Sequence, residues 1–137
     1  MLIYTCLISF LMFEYVCMEF RWTDSLKNYL KALKTGKNKS GEKYTSRYVG
    51  SMVGDIHRTL MYGGVFLYPS DTDTHPNGNL QLLYKSIPLG YLVEQAGGKS
   101  LTSKRQPLLS VRPKKIHERA PCFFGSPDNI KELKNFL

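Results

Sequence analysis

Hydrophobic positions in this chain alternate between helical spacing and short continuous runs. Apolar residues three and four apart predict one buried face on each of two helices, at 24–35 and 51–62. Thr23 and Asp24 can cap the first helix and Thr35-Gly36 can end it, while Gly63 and Gly64 follow the second. The residues expected on the two buried faces are Leu26, Tyr29, Leu30, Leu33, Met52, Val53, Ile56 and Leu60.

Short apolar runs predict buried strands at 65–68, 80–84 and 121–124. A third helix is expected at 88–96, because proline suits its first turn and a glycine pair follows it. Residues 101–109 are expected to be irregular, with a short strand at 110–111. A last helix begins at the Ser-Pro-Asp sequence 126–128 and buries Ile130, Leu133, Phe136 and Leu137. Strands that alternate with helices predict an α/β fold with helices on the faces of a layered sheet.

Residues 1–20 do not follow this pattern. They are almost wholly apolar up to Phe13, after which Glu14 and Glu19 interrupt the run. Three interpretations remain open: a buried core strand, a membrane or targeting segment, and a segment foreign to the domain.

Composition is that of one globular domain with a basic surface. The 137 residues are 42% hydrophobic and carry a formal net charge of +8, which suits an anionic partner. Three cysteines form neither a disulfide framework nor a zinc pattern and are expected to be reduced. The eleven acidic residues are scattered, and the closest pair, Asp71 and Asp73, stands beside His75. We expect neither a metal site from these spacings nor nucleic-acid binding, since no nucleic-acid motif is present.

Two places in the sequence could bind a phosphate, although on the residues alone a plain surface position for Arg47 and Tyr48, and a half-buried tyrosine with a backbone partner at 68, are the commoner alternatives. Arg47 and Tyr48 precede the predicted start of a helix, where a guanidinium fork and backbone N–H groups bind phosphate oxygens. Tyr68 ends a predicted strand, and open α/β sheets bind ligands at that edge. No nucleophile is paired with a histidine, so structural roles are expected for His57, His75 and His117. Ser126 is interpreted as a plain helix cap.

Eight short motifs follow one another along the chain. They are Arg47-Tyr48-Val49-Gly50-Ser51-Met52-Val53, His57-Arg58-Thr59-Leu60, Tyr62-Gly63-Gly64, Phe66-Leu67-Tyr68-Pro69, Leu82-Leu83-Tyr84, Glu94-Gln95-Ala96-Gly97-Gly98, Ile116-His117-Glu118-Arg119-Ala120-Pro121 and Gly125-Ser126-Pro127. Their order resembles the C-terminal half of a eukaryotic fructose-1,6-bisphosphatase. The resemblance is most specific from about residue 44 onward, and residues 1–20 do not share it. It implies a family-like domain at 21–137 with an α-β-α layered fold and a mixed sheet.

The resemblance implies substrate-binding roles for particular residues. Tyr48 and Tyr68 occupy the positions that bind the sugar 6-phosphate. Arg47 corresponds to the arginine that reaches into a neighbouring subunit's site, and the backbone at Met52 corresponds to a sugar contact.

Three positions depart from the family pattern. Asn79 replaces a substrate-contacting lysine and Gln81 replaces an arginine of the site. Lys85 stands where the family has a glutamate that ligates the catalytic metal. A cation at this position would repel Mg²⁺, so we expect the family's Mg²⁺ not to be bound by this chain alone.

The resemblance implies a homologue of the enzyme that hydrolyses the 1-phosphate of fructose 1,6-bisphosphate in sugar-phosphate metabolism. Since the family's other half carries most of the metal-binding carboxylates, we expect a truncated homologue that is inactive alone. The alternative is a non-catalytic regulator that binds sugar phosphate or pairs with full-length subunits. The expected ligand is fructose 1,6-bisphosphate or fructose 6-phosphate, and the expected assembly is a homo-oligomer or a pair with a full-length homologue. A cytoplasmic location is expected, with the plastid or a membrane as alternatives that depend on residues 1–20.

Overall fold

The computed structural model describes residues 10–13 and 16–137. Most of the apolar segment 1–20 therefore lies outside the described residues. The three interpretations of that segment stay predictions. Within the described part, the backbone of residues 10–13 forms a strand and a 3₁₀ helix spans Val16–Arg21. No helix among the residues described is long and apolar enough to cross a membrane.

Seven strands and four α-helices follow one another within the described residues. The strands are β1 (Phe10–Phe13), β2 (Thr45–Arg47), β3 (Val65–Tyr68), β4 (Leu80–Gln81), β5 (Lys99–Thr102), β6 (Arg119–Ala120) and β7 (Cys122–Gly125). The helices are α1 (Asp24–Thr35), α2 (Met52–Tyr62), α3 (Ile87–Gln95) and α4 (Pro127–Leu133).

Five of these strands form a mixed sheet in the order β2-β1-β3-β7-β5. β1 lies parallel to both β2 and β3, whereas β7 lies antiparallel to both β3 and β5. β4 and β6 form a separate antiparallel pair in which Leu80 lies opposite Ala120. The mixed sheet implied by the family resemblance is therefore confirmed.

Alternation along β3 divides the core into two layers. Val65 and Leu67 belong to an apolar cluster that includes residues of α1 and α4. Phe66 and Tyr68 belong to a second cluster, with residues of α2 and α3. Because successive side chains point to opposite faces of a strand, a strand buried on both faces carries apolar residues throughout. The expected α-β-α layering is thus confirmed.

The strand predicted at 80–84 is wrong beyond its first two residues. The chain leaves β4 and enters a π-helical turn, Leu82–Ser86, which continues into α3. Leu82 and Ser86 are buried while Leu83 and Tyr84 are both exposed, so the buried positions lie four apart with no alternation between them, which is helical rather than strand spacing. The Ile87 N–H donates to the Leu82 carbonyl, five residues earlier. Pro88 lacks an N–H, and such a gap in the hydrogen-bond ladder favours local rewinding.

Other differences concern polar segments. Residues 99–102 form β5 rather than an irregular segment, and Leu108–Ser110 is a 3₁₀ turn rather than the start of a short strand. β5 buries the polar side chains of Ser100 and Thr102 beside Leu101, so apolar continuity does not mark it as a strand, and it joins the sheet by pairing with β7. β2 was also not predicted, since all three of its residues are exposed.

Candidate functional site

A cavity of about 570 Å³ opens where β3 ends, on the sheet face that α2 and α3 cover. The first turn of α2 forms one wall. β4, the π-helical turn and the start of α3 form another, and β6 contributes one side chain. The lining residues are Gly50, Ser51, Met52, Val53, Tyr68, Asn79, Leu80, Gln81, Tyr84, Lys85, Pro88, Leu89 and Arg119.

The structure brings together most of the residues selected from the sequence. Met52, Tyr68, Asn79 and Gln81 all line this cavity, as does Lys85. Residues that lie up to 33 positions apart along the chain thus surround one volume.

Arg47 and Tyr48 lie outside the lining. Arg47 ends the edge strand β2, and its guanidinium donates a 3.4 Å hydrogen bond to the Ser46 carbonyl. Tyr48 is 48% exposed, and its ring lies over Gly50, which does line the cavity. These two residues therefore stand beside the site and do not form its wall.

Three side chains form a hydrogen-bonded series along the cavity. Arg119 donates to the backbone carbonyl of Asn79 over 2.9 Å and also to its side-chain oxygen. The Asn79 amide in turn donates to the Tyr68 hydroxyl over 3.3 Å. The series fixes Asn79 between a cation and a phenol, and it leaves the guanidinium at the cavity wall.

Gly78 makes this arrangement sterically feasible. Its φ of +80° lies in the left-handed region, and a Cβ there would lie 2.2 Å from the backbone nitrogen of Pro121. The chain that carries Asn79 can approach the segment that carries Arg119 because residue 78 has no side chain.

Asp55 holds the loop before α2 from within the helix. Its carboxylate accepts a 3.1 Å hydrogen bond from the Val49 N–H, and the carboxylate is buried. Burial raises the pKa of Asp55, while hydrogen bonds from the N–H groups of Val49 and Gly50 and the charge of Arg58 oppose that rise. The acid thus positions residues 49–51, which border the cavity, and leaves the first N–H groups of α2 beside it.

The π-helical turn presents Tyr84 and Lys85 to the cavity. The Tyr84 hydroxyl lies 2.9 Å from Nδ1 of His117, and the two rings meet edge to face at a centroid distance of 5.8 Å. His117 thus supports a lining tyrosine, a contact that agrees with the predicted structural role.

Gln81 carries an unsatisfied group. Its Oε1 is buried and has no hydrogen-bond partner within the described part of the chain. A buried acceptor without a donor is costly, so a ligand hydroxyl that donates to it would remove that cost.

The charge of the lining favours an anion. Among the lining residues that the structure describes, Lys85 and Arg119 are the two cations and none is a carboxylate. Across the described ranges 10–13 and 16–137, no group of three or more His, Cys, Asp or Glu side chains could hold a metal ion. The residues present therefore do not fit Mg²⁺, which prefers carboxylate oxygens.

Sequence reasoning assigned no role to Arg119, Asp55 or Tyr84. A first-turn acid such as Asp55 is a known helix-start signal and could have been noticed. No local signal distinguishes Arg119, because its role depends on the pairing of β6 with β4. The acidic pair Asp71 and Asp73 lies in a loop. Asp71 stabilises that loop by accepting hydrogen bonds from three backbone N–H groups.

The fold and the cavity define a layered α/β domain with a cationic, carboxylate-free cavity at the end of a central strand. The family model described as the fructose-1,6-bisphosphatase C-terminal domain matches residues 15–137, so the chain belongs to the fructose-1,6-bisphosphatase family. This confirms the resemblance that the motifs indicated.

Individual relatives agree with the family match. The chain is 50% identical over 113 residues to the cytosolic fructose-1,6-bisphosphatase of Brassica napus, covering 82% of this chain and 32% of the relative. It is 45% identical over 116 residues to the chloroplastic enzyme of Oryza sativa subsp. indica, covering 85% and 28% respectively. The chain thus spans about a third of the length of the curated relatives that it matches.

A solved structure shares the fold. The crystal structure of Leishmania major fructose-1,6-bisphosphatase in the T-state superposes with a TM-score of 0.83 at 40% identity, over 92% of this chain and 38% of that one. This agreement extends over nearly the whole described chain.

Proposed function

We propose that the cavity binds the sugar and distal phosphate of a fructose phosphate, fructose 6-phosphate or fructose 1,6-bisphosphate. The observation that carries this proposal is the convergence of Tyr68, Asn79, Gln81 and Arg119 on one cavity, whose described lining has two cations and no carboxylate. A phosphate would be bound by the tyrosine hydroxyls and the guanidinium, since charge-assisted hydrogen bonds are the strong ones. Tyr48, beside the mouth, completes the phosphate contacts, and Arg47 serves a neighbouring subunit.

The second part of the proposal concerns catalysis. Lys85 places an ammonium group at the cavity where the family's glutamate would ligate a metal, and its charge repels Mg²⁺. We therefore expect sugar-phosphate binding without hydrolysis by this chain alone, so that any Mg²⁺-dependent bisphosphatase activity requires carboxylates from elsewhere. Such a chain acts in sugar-phosphate metabolism as a binding or pairing subunit.

A direct titration tests the binding proposal. Fructose 6-phosphate is added to the purified chain, and binding is followed by calorimetry and by shifts of the amides at Tyr68 and Asn79. Fructose without phosphate is the matched control ligand and should not bind. Folded protein that gives neither heat nor shifts with fructose 6-phosphate would refute the proposal.

An activity assay tests the catalytic part separately. Release of phosphate from fructose 1,6-bisphosphate with Mg²⁺ should stay at the buffer rate. The single change Lys85→Glu should not restore turnover, because the remaining cavity lining has no carboxylate. Turnover by either protein would refute the proposal that this chain does not hydrolyse the substrate alone.

The third part of the proposal concerns self-association. α2 exposes Met61 and Tyr62, which are 55% and 46% exposed, at the end of the helix. Exposed apolar side chains that group together mark association surfaces. We propose that this end of α2 pairs with a second copy of the chain, or with a full-length homologue. Separately, we propose that the protein acts in the cytoplasm.

A further inference from the structure

A second cavity of about 760 Å³ adjoins the first at Arg119, which lines both. It is formed by loops: residues 74–78, the turn after β5 at 102–106, and the segment 111–121 that leads through β6. Gly78 lines this second cavity, while Tyr68, Asn79 and Gln81 do not. It is therefore separate from the sugar-phosphate cavity, with a shared wall at Arg119.

Its lining is strongly cationic. Its described lining contains four cationic side chains, those of Lys104, Lys114, Lys115 and Arg119. It contains one carboxylate, that of Glu118. That carboxylate accepts a 2.5 Å hydrogen bond from the Lys114 N–H, so it already stabilises the loop that forms the wall. A concave surface lined by cations concentrates anions.

Thr102 supplies an independent observation. It lines the cavity at the end of β5, is only 6% exposed, and its Oγ1 is buried without a hydrogen-bond partner in the described part of the chain. The backbone of Thr102 is satisfied, since its N–H donates to Gln106 over 3.0 Å and its carbonyl accepts from Arg105 over 3.1 Å. Only the hydroxyl lacks a partner, and hydroxyls buried in this state are uncommon in folded proteins.

We propose that this second cavity is an anion-binding site for a small phosphorylated molecule. The Thr102 hydroxyl donates to a phosphate oxygen, and the ammonium groups of Lys104, Lys114 and Lys115 neutralise the charge. The volume is that of a site for a small molecule. The proposal does not depend on fructose phosphate binding in the first cavity.

Pyrophosphate is the probe, in phosphate-free buffer and with the full chain. Backbone amide shifts in an NMR titration locate the binding, so that the two cavities are read separately. Saturable shifts are expected at residues 102–104 and 114–115. Shifts confined to Tyr68, Asn79 and Gln81, or none up to about 10 mM, would overturn the proposal.

Thr102→Val is the decisive variant, because it keeps the shape of the side chain and removes only the hydroxyl. Pyrophosphate affinity should fall about tenfold, while thermal stability should stay the same or rise, since a buried unpartnered group is lost. Unchanged affinity in Thr102→Val would overturn the assignment.

A charge-matched pair of variants provides the second readout and remains valid if Thr102→Val does not fold. Lys104→Gln removes a cation from the cavity lining, and Lys31→Gln removes an exposed cation from α1. Lys104→Gln should weaken pyrophosphate binding about threefold to fivefold, with Lys31→Gln unchanged. Equal weakening by both would mean that the net charge of the chain attracts the probe without a specific site, and would overturn the proposal.

Discussion

Arg119 and Asn79 are joined by two hydrogen bonds, one to the backbone carbonyl at 2.9 Å and one to the side-chain oxygen. The two residues lie 40 positions apart and meet because β4 and β6 pair antiparallel. Asn79 also donates to the Tyr68 hydroxyl, so Arg119 determines the position of an amide that touches the proposed phosphate ligand. Arg119 thus acts on the sugar-phosphate cavity both as a cation and through Asn79.

The first prediction concerns this relationship. Arg119→Met removes the charge and both hydrogen bonds but keeps much of the apolar stem. Affinity for fructose 6-phosphate should fall at least tenfold, because a charge-assisted contact and the orientation of Asn79 are lost together. Calorimetric titration of wild type and variant measures the change.

Arg112→Met is the matched control, since Arg112 is exposed and lines neither cavity. It removes the same formal charge and should leave the affinity for fructose 6-phosphate within about twofold. If the two variants weaken binding equally, the effect is long-range electrostatics and the Arg119–Asn79 contact is not responsible.

The second prediction concerns Gly78. Gly78→Ala combines a φ of +80° with a Cβ placed 2.2 Å from the Pro121 nitrogen. The free energy of unfolding should fall by roughly 2 kcal/mol or more, and fructose 6-phosphate affinity should fall with it, because the Asn79 and Arg119 segments are forced apart. Urea unfolding and the titration described above measure the two effects.

Gly41→Ala separates backbone strain from the steric clash. Gly41 has a similar φ of +73°, but a Cβ there would meet nothing within 4 Å. Its cost should be only about 1 kcal/mol, the usual penalty of a left-handed residue. A loss as large as that of Gly78→Ala would show that the close approach to Pro121 contributes nothing.

Apolar continuity predicted the central strands well. Residues 65–68 are all apolar and form a strand that is buried on both faces, as predicted. Residues 80–84 look equally apolar, yet Leu82 is buried and Leu83 is exposed. A short apolar run has no period of its own. Here the following Pro88 and the packing of α3 favour a helical turn over a strand.

The site was predictable only to the extent that it follows the family motifs. Met52, Tyr68, Asn79 and Gln81 were selected through the resemblance, and they do surround one cavity. The hydrogen bonds from Arg119 could not be predicted, because they depend on strand pairing between distant segments. Tertiary register, unlike helical spacing, leaves little local trace in a sequence.

The third prediction concerns assembly. Met61→Glu places a charge on the exposed end of α2, where apolar side chains are proposed to meet a second copy. The wild-type chain should behave as an oligomer and the variant as a monomer, because burying a carboxylate without a partner is costly. Light scattering after size-exclusion chromatography measures the mass.

Leu92→Glu on α3 is the control for that experiment. Leu92 is 53% exposed, much like Met61, but lies on a different helix. It should leave the oligomer intact. A monodisperse wild-type monomer, or equal dissociation by both variants, would contradict pairing through α2.

The last prediction concerns pH. Burial of Asp71 by itself raises the pKa of its carboxyl, but hydrogen bonds from the N–H groups of His75, Thr74 and Asp73 and from the Thr74 hydroxyl outweigh it and hold the pKa well below its usual range. A depressed folded-state pKa means that the stabilisation is complete above the unfolded value, near 4, and is lost as the pH falls through the lower folded value.

Asp71→Asn should therefore lower the free energy of unfolding at pH 7, because the amide is a weaker acceptor for three N–H groups. The deficit relative to wild type should shrink as the pH falls below about 4, because Asp71 is then protonated in the unfolded wild-type chain while it stays ionised in the folded one, and this proton uptake favours unfolding. Urea unfolding at pH 7, 5, 4 and 3 measures the difference, and Asp24→Asn, whose side chain is 94% exposed in a surface ion pair, corrects for the loss of one carboxylate. A deficit that stays constant or grows in acid would contradict the role of Asp71, because the hydrogen bonds to its ionised form would then not stabilise the loop.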